Sequence, residues 1–195
     1  MVRSCLAAAV LLLLLCPLSG NSQTHKYGIK SGSVTFETET VMGKIKMNEH
    51  YIVWFDDYGM KEAKETMENG AVTGSFFSDG VSLYTVKTAK RTAFKSGNAS
   101  RGTEYRFDWG EVPAKDKQAG KAKQLPARTI AGKECQSYEV TSGSVVSTFA
   151  GWQGVTLFHE LKRENMTVTT RAVKFDEKVA VPAAKFAVPA GFTVK

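Results

Sequence analysis

The sequence predicts a mainly β fold, a meander of antiparallel strands with one or two short helices at most. Three observations predict it. Apolar residues recur with period two far more often than with period 3.6, as they do in half-buried strands. The runs that alternate are rich in Val, Thr, Phe and Tyr, which suit a pleated surface. Between them stand Ser31-Gly32, Asp57-Tyr58-Gly59, Asn69-Gly70, Asp79-Gly80, Ser96-Gly97-Asn98 and Ser142-Gly143. Gly and Asn tolerate the positive φ of tight hairpins, and short turns between successive strands mean antiparallel pairing.

The chain opens on an export signal. Arg3 supplies a positive start, Leu6 to Leu15 an unbroken apolar run, and Pro17 a break before Ser19, Gly20, Asn21 and Ser22. That order of basic, apolar and small-residue segments is what a signal peptidase cleaves, here after Gly20 or Ser22. Ten apolar residues fall short of the roughly 20 that span a bilayer as a helix. A lipoprotein signal that keeps Cys16 as an acylated first residue is the rival, but it wants a small residue where Leu15 stands. Residues 1–22 are therefore read as a signal and 23–195 as one exported, soluble domain with room for a real core.

The strands follow in order. Val34 and Phe36 alternate with Thr35 and Glu37, while Tyr51 to Phe55 is apolar on both faces, like a strand covered on both sides. Lys61 to Met67 has helix-forming composition, yet seven residues between turn signals suit a strand equally well. Val81 to Val86 reads as a strand. So does Thr103 to Trp109, where Tyr105, Phe107 and Trp109 oppose Glu104, Arg106 and Asp108. Ala114 to Gln124, bracketed by Pro113 and Pro126, is a second helical candidate without an apolar stripe. Glu134 to Val140, Ser144 to Phe149, Val155 to Leu161 and Met166 to Phe175 complete the set. No internal repeat is present.

Charge and cysteines narrow the class. Past the signal, 25 basic residues stand against 19 acidic ones, a net charge of +6. Lys115, Lys117, Lys121, Lys123 and Arg128 against Asp116 account for +4 of it, and the near-neutral remainder argues against a broad nucleic-acid footprint. Cys135 is the one cysteine outside the signal, so packing and not an internal disulfide must hold the fold.

Three stretches carry a family resemblance. They are Tyr51-Ile-Val-Trp-Phe-Asp-Asp-Tyr-Gly59 with Lys61-Glu-Ala, then Ile130-Ala-Gly-Lys-Glu-Cys135, and the ending with Val181-Pro182, Phe186, Pro189 and Gly191-Phe192. Together they resemble a family of secreted bacterial proteins of unknown function related to the lipoprotein carriers LolA and LolB. The resemblance spans most of the mature chain, and its motifs are structural, not catalytic. It implies an incomplete antiparallel β-barrel, a half-barrel wrapped round an apolar hollow partly closed by helices or loops. In the carriers that hollow receives acyl chains. This sequence departs from them in having no clear helices rich in large apolar residues to serve as a lid.

A strongly curved open sheet has a concave face that its own side chains need not fill, and ligand cavities form at such places. Phe36, Trp54, Tyr105, Phe107 and Trp109 are the inward aromatics expected to line one. The alternative is that they fill an ordinary core. The basic run from Lys115 to Arg128 could dock on an anionic membrane surface or an acidic partner at about 1 kcal/mol per cation. Without interleaved Trp or Phe it also reads as a solvated loop.

Catalytic motifs are wanting. Cys135 would need a base, and His159 is the sole candidate by position, so the thiol reads as a small buried apolar group. His25, His50 and His159 are scattered, without zinc-ligand spacing. Asp56-Asp57 reads as side-chain capping of the turn at Tyr58-Gly59. Asn98-Ala-Ser100 and Asn165-Met-Thr167 match glycosylation acceptors, a tripeptide frequent by chance. No G-x-S-x-G, P-loop or dinucleotide fingerprint occurs, and no cofactor is implied. The expectation is a non-enzymatic binding protein for a lipid or other apolar molecule. The alternatives are an envelope protein-interaction module without a ligand and, behind it, a hydrolase.

Overall fold

The structure is a computed structural model that describes residues 25–97, 109 and 121–195. Among the described residues eleven long strands build it: β1 (Gly32–Met42), β2 (Ile45–Asp56), β3 (Lys61–Glu68), β4 (Ala71–Ser78), β5 (Ser82–Lys87), β6 (Thr92–Gly97), β7 (Ala122–Ile130), β8 (Lys133–Ser142), β9 (Val145–Trp152), β10 (Val155–Arg163) and β11 (Met166–Glu177). A two-residue strand, β12 (Thr193–Val194), follows. They form one open sheet in the order β12-β6-β5-β4-β3-β2-β1-β11-β10-β9-β8-β7, with β12 and β7 at its edges. Each half is a meander, and the two meet where β1 pairs with β11. All pairs are antiparallel except β12 with β6.

Turn chemistry sets this connectivity. Asn69-Gly70, Ala131-Gly132 and Gln153-Gly154 each place both residues at positive φ, the geometry that matches the twist of a two-residue hairpin. The Asp56-Asp57 pair does lead into a turn, but Asp56 makes no side-chain cap. Left-handed backbone at Asp57 and Tyr58 makes the bend instead.

Of the two segments that could be helical, one is settled and the other corrected in part. Lys61–Glu68 is strand, because pairing with β2 and β4 on either side overrides its helical composition. Residues 122–124, at the end of the second helical candidate, begin β7. The rest of that candidate lies outside the described residues, as do the signal and Thr103 to Asp108. Among the described residues helical turns are confined to the 3-10 segments Asp57–Gly59, Thr88–Lys90 and Ala183–Phe186.

Directly opposed residues of a ladder share a face, so the register sorts the sheet. Val34, Phe36, Tyr51, Val53 and Phe55 share the first face of β1 and β2, and they cluster in a core with Tyr27, Ile130, Cys135, Ala150, Val155, Leu157 and Ala172, which the bends of the sheet bring against them. Phe36 stacks on Tyr51 at 5.2 Å and Tyr27 meets Phe55 edge-on at 4.9 Å. Bulges at Thr35/Phe36 against β11 and at Thr156/Phe158 against β9 bend the strands locally. On the second face Ala63, Phe77, Val86, Ala93 and Trp54 are covered by the segment after β11 through Val181, Phe186, Val188 and Phe192. The segment before β1 is also pinned. Tyr27 N–H donates to Tyr58 O and Gly28 N–H to Gln153 O, while the Lys26 ammonium and the Tyr27 hydroxyl both reach the fully buried Glu62 carboxylate.

Candidate functional site

Beyond the first core, the outer half of the first face continues as three register lines. The line after Phe36 runs Glu49, Thr38, Thr170, His159, Phe149, Tyr138. The next runs Met47, Thr40, Val168, Leu161, Ser147, Val140, and the outermost Ile45, Met42, Met166, Arg163, Val145. Six strands thus present a largely apolar strip. It is not sealed, since Met42, Ile45 and Met47 are 46%, 57% and 51% exposed.

The second face at the same level is charged. Glu37 and Glu39 lie beside His50, Asn48, Thr169 and Arg171 and with them line a recess of about 440 Å³. His50 lies 3.7 Å from Glu37, and the Lys46 and Lys162 ammonium groups pair with Glu39 and Glu160. Alternation along each strand therefore makes this half of the sheet amphipathic, with its apolar side partly open to solvent.

Trp109 lies on the apolar side. Its indole N–H donates to Thr156 Oγ1 at 3.2 Å and its ring centre is 6.1 Å from that of Tyr138. Gly151 forms the floor beneath it. His159 stacks on Phe149 at 4.6 Å with its ring nearly parallel, and burial holds its pKa down to about 4. The imidazole is neutral at physiological pH and adds no charge to the strip.

The expected ligand aromatics divide. Phe36 is 4% exposed and its volume belongs to the first core. Trp54 does not share a hollow with it: Phe36 opposes Tyr51, and Trp54 stands three residues further along β2, on the second face. There its indole N–H donates to Glu65 Oε2 at 3.0 Å and the Lys185 ammonium lies 4.8 Å from its ring centre. Tyr105 and Phe107 lie outside the described residues. Apolar side chains of the outer lines, Met47, Val140, Leu161 and Val168, were missed because they alternate with Thr and charged residues in strands that read as ordinary half-buried ones.

Of the basic run, Lys115 and Lys117 lie outside the described residues, Lys121 and Lys123 are exposed at the start of β7, and Arg128 lies 4.9 Å over the Phe158 ring. Cys135 is fully buried in the first core, and burial raises its thiol pKa. Alternation along β8 turns it away from Tyr138, three residues on, in whose register line His159 stands, so the two do not form a nucleophile–base pair. Among the described residues no group of His, Cys, Asp and Glu could hold a metal ion, and no helix is long and apolar enough to cross a membrane.

No family model and no curated protein matches the chain. Solved structures do. An uncharacterized conserved protein from Thermus thermophilus is 8% identical with a TM-score of 0.56, the match covering 85% of this chain and 90% of that one. MucB, solved in complex with MucA(peri), is 15% identical with a TM-score of 0.53 over 85% of this chain, which spans 57% of MucB. A LolA superfamily protein from Nitrosomonas europaea, 9% identical, matches over 81% of this chain and 90% of its own at a TM-score of 0.37. The class is one of fold: an open, mostly antiparallel half-barrel sheet.

Proposed function

We propose that the chain is an exported binding protein that holds an apolar ligand, a lipid or acyl chain, against the first face of its sheet without transforming it. One observation carries the reading: the outer lines place Met47, Val168, Leu161 and Val140 on β2, β11, β10 and β8, broken by Thr40 on β1 and Ser147 on β9, with Met42 and Val145 beyond those breaks and Met42, Ile45 and Met47 half exposed. An exposed apolar surface of this kind on a soluble protein marks an interaction site. Trp109 and the neutral His159 would bound the ligand on the inner side, with Phe36 behind them as core. Tyr105 and Phe107 remain expected contacts, and Trp54 is released from the set. Lys121 and Lys123, with Lys115 and Lys117 before them in the chain, would offer cations to an anionic head group or membrane surface. Export rests on residues 1–22.

A second reading is favoured by the likeness to MucB, which was solved bound to another protein. The same strip would then dock a protein partner. Native mass spectrometry of the gently purified mature chain separates the two. Co-purified lipid, or saturable uptake of a fluorescent fatty acid, supports the first. A clean apo mass together with refusal of fatty acid overturns it.

A further inference from the structure

The second face carries a different feature, independent of the ligand reading. The segment after β11 crosses from β11 to the far edge at β6, passing over a groove formed by Trp54, Ala63, Phe77, Tyr84, Val86 and Ala93. Phe186 plugs the groove at 8% exposure, and Lys185 clasps it, its ammonium 2.7 Å from both oxygens of Glu65. At the far end Thr193 N–H donates to Arg91 O, Lys195 N–H to Ala93 O, and Lys95 N–H to Lys195 O. The segment is held as a separate ligand would be: one aromatic anchor, one ion pair, and a short added strand on a sheet edge.

Its connection to the sheet is short and strained. Lys178, directly after β11, has φ +60°, a left-handed conformation that a non-glycine residue adopts only at a cost. Val179 to Pro182 carry no regular structure, and the ring of Pro182 biases Val181 towards extended backbone. Straightening this five-residue hinge frees Lys178 from the left-handed region and points the segment away from its own groove. A neighbour's groove then offers identical contacts, so exchange forfeits none of them and relieves two strained hinges per dimer. Short, strained hinges of this kind invite domain swapping.

We propose that the groove is an exchange site in which residues 183–195 of a second copy of this chain dock, giving a reciprocally swapped dimer. The test mixes two full-length mature proteins, one carrying Glu65→Cys and isotopically heavy, the other carrying Lys185→Cys. The mixture is held at high concentration and treated with a short bis-maleimide. The expected product is a mixed-mass covalent dimer. Its yield should fall about ten-fold per hinge when Lys178→Gly removes the strain, and rise with Lys178→Val, which cannot accept positive φ. A thermal melt confirms that each variant is folded, and Lys178→Gly keeps the test open should Lys178→Val not fold. A mixed dimer no more abundant than with a Lys46→Cys control, at every concentration and for both hinge variants, overturns the proposal.

Discussion

The Trp109 indole occupies the space that any side chain at Gly151 would need: a Cβ built there overlaps Trp109 Cζ2 and falls 2.6 Å from Cε2. Real carbon atoms do not approach so closely, so Gly151→Ala must move the ring. The indole would lose its bond to Thr156 and its place beside Tyr138. Overpacking of this kind costs on the order of 1–3 kcal/mol. The expected outcome is a changed tryptophan emission spectrum, a lower urea midpoint and weaker fatty-acid binding. Unchanged emission would mean that the ring is not seated on Gly151.

Glu62 gives a second prediction. Its carboxylate is fully buried and takes the Lys26 ammonium and the Tyr27 hydroxyl, which hold the segment before β1 against the sheet. Removing one member of a buried pair leaves a charge without its counter-charge in a poor solvent, at roughly 3–5 kcal/mol. Lys26→Met should therefore unfold at much lower urea, whereas Lys26→Met with Glu62→Leu should recover most of the loss. If the double variant were as unstable as the two single losses added, the pair would not be coupled.

The fold was legible in the sequence where local pattern and tertiary demand agree. Thr35 and Glu37 alternating with Val34 and Phe36 announced β1, and the Asn69-Gly70 hairpin needed only its turn chemistry. β4 and β6 went unread. Ala71-Val-Thr-Gly-Ser-Phe-Phe-Ser78 has no period of two, and Thr92-Ala-Phe-Lys-Ser-Gly97 is short and largely exposed, each burying only its Phe77 or Ala93 end while pairing with its neighbours orders the rest. β7 was disguised by helix-forming Ala, Lys and Gln and by Pro126, which an edge strand tolerates at the interruption of its register between Leu125 and Arg128. The candidate site was legible only in part: Phe36 and Trp54 were grouped without a register. A register is what assigns residues of different strands to one face. The apolar strip could not be found from single strands, since it exists only once six of them are aligned.

His159 sets a pH dependence. Burial lowers its pKa from 6.5 to about 4. The unfolded chain therefore binds the proton more readily, so stability is full above pH 6.5 and falls as pH drops from 6.5 towards 4. Below that this histidine contributes no further slope. His159→Phe, which preserves the stack on Phe149, should flatten the decline. Urea midpoints compared at about pH 7.5 and about pH 5 read it directly, and a variant that loses as much stability as the parent would assign the slope elsewhere.

The binding face can be tested without knowing the natural ligand. Leu161 and Val168 oppose each other at the middle of the strip and are only partly buried. A Lys at either position can direct its ammonium to solvent, so the fold should tolerate it at a cost of about 1 kcal/mol. An alkyl chain lying there would meet an ammonium that must be desolvated. Fatty-acid affinity should then fall at least about ten-fold, or about 1.4 kcal/mol. Thr169→Lys, one residue along β11 and on the charged second face, changes charge equally and should leave the affinity alone. Titration of a fluorescent fatty acid against the three variants decides the matter. Equal loss in all three would trace the effect to net charge, and no loss in Leu161→Lys or Val168→Lys would remove the strip as the binding surface.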